Sequence, residues 1–237
     1  MSYFNQGNVW GRVIKANDGK TRDKGTPFLE LEIDCTNPEY GHILAFGRLW
    51  GKEKIAALKA YLSSRASSDR GRTSSDASSG RNVPADSGII RLKGFYDQYE
   101  ENTTWYSSYT FYDFIVPSAS QALNGDTPPS SRSPGGISPQ SGRAAFILVG
   151  DLEQKELIEG EPLLHLTIMR KGADMDREQD LKIWLFDPEV YYEIVPGDLI
   201  EVRGILRKRE SEDFYGGASD SPIRPYAMTT KKRVRKE

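Results

Sequence analysis

A single cysteine, Cys35, stands in the whole chain. No internal disulfide or thiolate zinc cluster can therefore form within one copy, and a reducing compartment is expected. Histidine is nearly as scarce: His42 and His165 fall in strand-like stretches far from any partner motif and read as sheet residues rather than bases or ligands. No apolar run approaches the ~18 residues of a membrane helix, and "MSYFNQGNVW" does not join a basic region to an apolar one, so neither a membrane span nor export is expected. Neither a Walker loop nor a dinucleotide glycine fingerprint occurs. The carboxylate run "GADMDREQD" (172–180) lacks calcium-loop spacing and reads as a polar hairpin turn. These absences predict no enzyme, no cofactor and no metal, in a soluble protein of the cytoplasm or nucleoid.

What is plentiful is turn chemistry. Twenty-two glycines and 13 prolines, with 37% hydrophobic residues in 237, suit short strands joined by turns better than packed helices. The length fits one large domain or two of roughly 100 residues. Net charge is −2, but residues 1–116 carry 15 Lys and Arg against 14 Asp and Glu, while 144–237 carry 15 against 19. Only local patches can therefore speak for or against nucleic acid. Two stretches have almost no large apolar side chain to offset ordering entropy. Residues 63–87, "SSRASSDRGRTSSDASSGRNVPADS", are expected to be a mobile insertion, and 118–143 a flexible linker between domains at 1–117 and 144–237.

The two halves repeat. "TPFLELEID" and "EPLLHLTIM" each read proline, two apolar residues, then alternation, with Pro27 and Pro162 offset by 135. An aromatic opening a short helical segment pairs Trp50 with Phe186 at 136. "SGIIRLKGF" and "PGDLIEVRGILRKRE" align Gly94 with Gly204 at only 110, a shortfall the serine-rich insertion supplies. Strands are predicted near 8–16, 27–36, 42–49, 88–100 and 104–116, with a helix at 52–65. Their counterparts are predicted near 145–153, 162–171, 180–186, 198–209 and 222–234, with a helix at 187–194.

Strand, strand, strand, helix, strand, strand is the order of the OB-fold, so the predicted class is all-β with short helices, two five-stranded Greek-key barrels in tandem. "PGDLIEVRGILRKRE" resembles the turn and fourth strand of single-stranded DNA-binding proteins of this fold. There Gly-Asp makes the turn, Ile200 and Val202 point inward and Gly204 lets the strand bend. The resemblance implies binding and protection of single-stranded DNA, largely independent of sequence, in replication, recombination or repair. Members of the resembled family commonly bring four OB domains together, which a homodimer of this chain would supply. The ending "TTKKRVRKE" departs from the acidic tail typical of bacterial members, leaving tail-mediated recruitment of partners without support. An RNA-binding OB protein and a protein-interaction scaffold are the alternatives.

Single strands are held by aromatic platforms and by Lys and Arg that follow the phosphates. "GFYDQYEENTTWYSSYTFYDF" supplies Phe95, Tyr96, Tyr99, Trp105, Tyr106 and Tyr109, then Phe111, Tyr112 and Phe114. These fall at both parities of the alternation, so some must face solvent while others form cross-strand pairs. "KANDGKTRDKG" adds Lys15, Lys20, Arg22 and Lys24 in the first loop, and Arg12, Arg48, Arg91 and Lys93 occupy strand positions able to face a groove. Trp10 and Trp50 read as core or barrel-end packing. The second half is less suited: "DLEQKELIEGE" makes its first loop acidic. Its cations gather at Arg203, Arg207, Lys208 and Arg209 and in the tail at Lys231, Lys232, Arg233, Arg235 and Lys236.

Overall fold

The computed structural model describes residues 3–37, 39–69, 88–102, 104–116, 142–170, 177–208 and 223–234. The first half folds as β1 (Phe4–Lys20), β2 (Pro27–Asp34), β3 (Leu44–Trp50), α1 (Lys52–Asp69), β4 (Ile90–Glu101) and β5 (Thr104–Ile115). The second repeats the order with β6 (Arg143–Ile158), β7 (Glu161–Arg170), β8 (Arg177–Leu185), α2 (Val190–Glu193), β9 (Leu199–Lys208) and β10 (Ile223–Lys232).

Each set closes on itself. β1 pairs with β2 and β4, β2 with β3, and β4 with β5, all antiparallel, and a short parallel contact of β3 with β5 completes the ring. β6–β10 close identically through a parallel contact of β8 with β10. The protein is two OB-fold barrels in tandem. One strand serves two walls of each barrel because a bulge breaks it, between Val13 and Lys15 in β1 and between Leu152 and Gln154 in β6, adding the bend that closure needs. Alternation then directs Val9 and Val13, Leu29, Leu31 and Ile33, and Ala45 and Leu49 into the first core. Ile55 and Leu58 of α1 plug its end.

Gly94 and Gly204 hold equivalent places at a second pair of register breaks. A Cβ on Gly94 would lie 2.2 Å from the Thr110 carbonyl oxygen, and one on Gly204 2.2 Å from the Phe146 ring. Only glycine permits that approach, which explains the pairing of these two residues across the repeat.

The barrels are joined edge to edge. β1 and β6 pair antiparallel from Phe4 opposite Val149 to Trp10 opposite Arg143, making one continuous sheet of ten strands. The last two residues of the stretch expected as a linker, 118–143, are placed against the barrels. Gly142 donates its N–H to the Thr36 carbonyl (3.2 Å), and its own carbonyl accepts from the Asn37 amide (3.1 Å); Arg143 already begins β6. Residues 117–141 lie outside the described residues.

Other boundaries move for local reasons. α1 runs on through Asp69 into the expected insertion, with the Arg65 guanidinium over the Tyr61 ring at 5.6 Å; residues 70–87 lie outside the described set. The expected first loops are mostly strand: Lys15–Lys20 pair with Pro27–Glu32, and β6 reaches β7 through a two-residue turn, Glu159 and Gly160, both at positive φ. α2 is a single turn, steadied by the Lys155 ammonium, which donates to the carbonyls of Tyr191 (2.5 Å) and Ile194 (2.7 Å). Residues 177–180, placed in a turn by their charge, form ladder pairs with β7; 171–176 are not described. Among the described residues no helix is long and apolar enough to cross a membrane.

Candidate nucleic-acid interface

On the first barrel, the parity that sends Leu29, Leu31, Ala45 and Leu49 inward turns Phe28, Glu30, Phe46, Arg48 and Trp50 outward. Phe28 and Trp50 face each other across β2 and β3 with ring centroids 5.2 Å apart. The Arg48 guanidinium lies 4.8 Å over Phe28 and 3.4 Å from the Glu30 carboxylate. Gly19 opposes Phe28, and a Cβ there would fall 2.3 Å from its ring, so this glycine makes room for the aromatic. Phe46, 48% exposed, opposes Glu32, which in turn opposes Lys15. Lys15, Lys20, Arg22 and Lys24 are exposed along the long hairpin and its turn, and Arg12 is exposed opposite Asp34. Phe28 and Phe46 escaped the sequence reading, and Trp50 was assigned to packing, although "LAFGRLW" places Phe46, Arg48 and Trp50 at the parity opposite to the core residues.

The β4–β5 hairpin sorts its aromatics by face. Tyr99 and Tyr106 form a cross-strand stacked pair, centroids 5.4 Å apart and planes 21° apart, and are 50% and 43% exposed. Phe95 packs against exposed Tyr112 at 5.4 Å on the same face. Arg91 and Lys93 share that parity on β4. The Arg91 guanidinium sits 5.1 Å over the Trp10 ring and donates to Asn8 Oδ1 (3.2 Å), so Trp10 is a half-buried outer-face residue and not core. Lys93 opposes Asp113, whose carboxyl lies below its ordinary range because the Lys54 ammonium binds it at 2.5 Å.

Tyr96 and Tyr109 do not belong to this platform. They are 0% and 2% exposed, because opposite parity turns them toward the junction of the barrels. The Tyr96 ring stacks on Phe146 of β6 at 4.5 Å and meets Tyr109 edge-on at 5.5 Å. Burial pushes both phenols up from their ordinary pKa. Trp105 is half-buried and turned toward the second barrel, with the Lys182 ammonium 4.7 Å over its ring.

The second barrel builds a smaller counterpart. Leu163 and Trp184 face each other where Glu30 and Arg48 do in the first, with Phe186 at the place of Trp50, and Arg224 lies 4.2 Å over Trp184 while donating to Glu161 (2.7 Å). Phe186, 48% exposed, carries the Arg207 guanidinium at 5.1 Å. With Lys208, Glu161 and Tyr226, these two residues border a cavity of about 290 Å³. Trp184, Phe186 and Arg224 also escaped the sequence reading. Arg203 is held instead by Glu201, a buried carboxylate that accepts from Arg203 Nε (2.8 Å) and from Arg233. Lys232 pairs with Asp198 at 2.9 Å, and Lys231 is exposed. Arg209, Arg235 and Lys236 lie outside the described residues. His165 bonds Glu156 (2.7 Å) on the outer face of β7, and His42 lies in the bend before β3, bonded to Thr36 (2.6 Å).

This arrangement defines a class: a paired OB-fold chain with solvent-facing aromatics flanked by cations. No family model matches the chain, and no curated protein does. The fold is similar to the wild-type single-stranded DNA binding protein from Thermus aquaticus, with TM-score 0.53 and 14% identity over 100% of this chain and 96% of that one. It is equally similar to a deletion mutant of that protein, with TM-score 0.53 and 13% identity over 100% and 97%.

Proposed function

We propose that this protein binds single-stranded DNA with little regard to sequence and, as a non-enzymatic coat, protects it in replication, recombination or repair. The observation that carries the reading is the solvent-facing set Phe46, Phe95, Tyr99, Tyr106 and Tyr112, with Lys15, Lys20, Arg22, Lys24 and Arg48 beside it on the same barrel. Stacking on such rings contributes about 1–3 kcal/mol per base and tolerates every base, because each has a π-face; cations along the groove follow the phosphates. The likeness of fold to a single-stranded DNA binding protein supports the same reading. Residues 1–117 and 144–237 act in it as two domains, the first the stronger binder and the second contributing through Phe186, Arg207 and Lys208.

The protein acts as a homodimer presenting four barrels. The joined sheet supports this, since its outer face carries Phe4, Ile147 and Val149 at least partly exposed, apolar area that a second copy would cover. Light scattering should give twice the chain mass, and a monomer that still binds tightly would remove the dimer.

The deciding test is a fluorescence titration with oligo-dT of about 30 nucleotides, matched duplex and matched RNA. Saturable quenching by oligo-dT and much weaker binding of duplex are expected, and the RNA arm reads which single strand the platform prefers. No saturable signal from oligo-dT at low salt would overturn the reading, and preference for RNA would transfer it to that substrate.

A further inference from the structure

β8 meets β7 along one edge and β10 only at Trp184 and Leu185 along the other. At Lys182 that second edge is free of a strand partner among the described residues, and an open edge exposes an unpaired N–H and C=O. The side-chain amide of Gln98, from the first barrel's hairpin, fills it. Gln98 Oε1 accepts the Lys182 N–H (2.7 Å), and Nε2 donates to the Lys182 carbonyl (2.8 Å) and to the Tyr96 hydroxyl (2.8 Å). One amide group thus imitates a neighbouring strand.

The contact extends on both sides. Gln179 of β8 donates to Asp97 and accepts from Asn5 Nδ2 (3.4 Å). Asn5 in turn bonds both the N–H (2.9 Å) and the carbonyl (2.7 Å) of Tyr96. Trp105, opposite Glu100, lies under the Lys182 ammonium. One face of the hairpin is therefore fastened to the second barrel, and the other carries the Tyr99–Tyr106 and Phe95–Tyr112 pairs.

We propose that Gln98 is a positioning residue for single-strand binding. By docking the hairpin on the β8 edge, it holds the exposed aromatic pairs in one orientation, so the second barrel serves the first barrel's platform even where it touches no base. A ribbon standing free of the barrels would have to be ordered, side chain by side chain, on each binding event; docking removes that cost beforehand. The inference rests on the function proposed above.

Its test uses the full chain with Gln98→Ala and the milder Gln98→Glu, whose carboxylate accepts the Lys182 N–H but donates nothing to the carbonyl. Amide hydrogen exchange at Lys182 reads the docking directly, and oligo-dT titration reads the platform. Gln98→Ala should speed exchange at Lys182 at least about tenfold while the β8 amides bonded to β7 stay protected. It should also weaken oligo-dT binding about three- to tenfold, with Gln98→Glu intermediate. Faster exchange with unchanged affinity would overturn the positioning role. Unchanged exchange in both variants would overturn the docking itself. Failure of the wild type to bind oligo-dT would instead defeat the underlying reading of function, and the inference with it, whatever the exchange at Lys182.

Discussion

Four tyrosines of one hairpin should give three different phenotypes. Tyr99→Ala and Tyr106→Ala each remove one half-exposed ring of a stacked pair. Loss of one base platform, about 1–3 kcal/mol, corresponds to a roughly 5- to 150-fold weaker Kd for oligo-dT. The fold should lose only the cross-strand contribution, about 0.2–1 kcal/mol, and Tyr→Phe at either place should bind nearly as the wild type does, because the π-face remains. Tyr96→Ala removes a wholly buried ring stacked on Phe146 and bonded through its hydroxyl to Ser107 and Gln98. It should cost about 3–5 kcal/mol of stability. Tyr109 is as deep as Tyr96, yet among the described residues its hydroxyl has no hydrogen-bond partner. Burying an unmet hydroxyl is unfavourable by about 1–3 kcal/mol, so Tyr109→Phe should be neutral or stabilising, while Tyr96→Phe is destabilising. Urea denaturation followed by circular dichroism, beside titration of each folded variant with oligo-dT, separates the effects. If Tyr99→Ala and Tyr106→Ala both stay within twofold of wild-type affinity, the platform assignment is wrong. A destabilised Tyr109→Phe would refute the account of the junction.

Three further outcomes follow from single contacts. Gly94→Ala drives a methyl to 2.2 Å from the Thr110 carbonyl oxygen and 2.8 Å from Phe111 Cα, backbone atoms that cannot swing away. It should lower stability by about 3 kcal/mol or more, against about 1 kcal/mol for Gly160→Ala, which meets nothing within 4 Å and suffers only its positive φ; thermal melts compare the two. Glu30→Gln releases Arg48 from an exposed ion pair and removes a negative charge beside the platform, so oligo-dT should bind up to about fivefold tighter at low salt; weaker binding would show that the pair orients Arg48 usefully. Lys155→Met strips the Tyr191 and Ile194 carbonyls of their charged donor and should cost about 1–2 kcal/mol by denaturation while leaving oligo-dT affinity unchanged.

The sequence carried the barrels because their construction repeats at fixed places. Gly94 and Gly204 sit where a backbone comes too close for any side chain, and Trp50 and Phe186 follow Leu49 and Leu185, the residues at the parallel closure of each barrel, so these markers have a geometric cause that both copies share. Parity was harder to read in the hairpin. Alternation says that Tyr96 and Tyr99 face opposite ways, but not which way is solvent, because beyond the barrel wall both sides of a ribbon look alike. The answer came from β6, more than forty residues on, whose Phe146 covers Tyr96. That contact exists only because β1 has edge to spare. It lends one edge to β4, and the other to β6 up to Trp10 and to β2 from Arg12 on. A strand's unused edge has no residue signature, since pairing runs through the backbone. So the features that join the two barrels, the β1–β6 seam and the Gln98 dock at Lys182, lay outside what composition and period could announce. The exposed tyrosines take their standing from that seam: with one face of the hairpin closed against the second barrel, the other is the face left for a ligand.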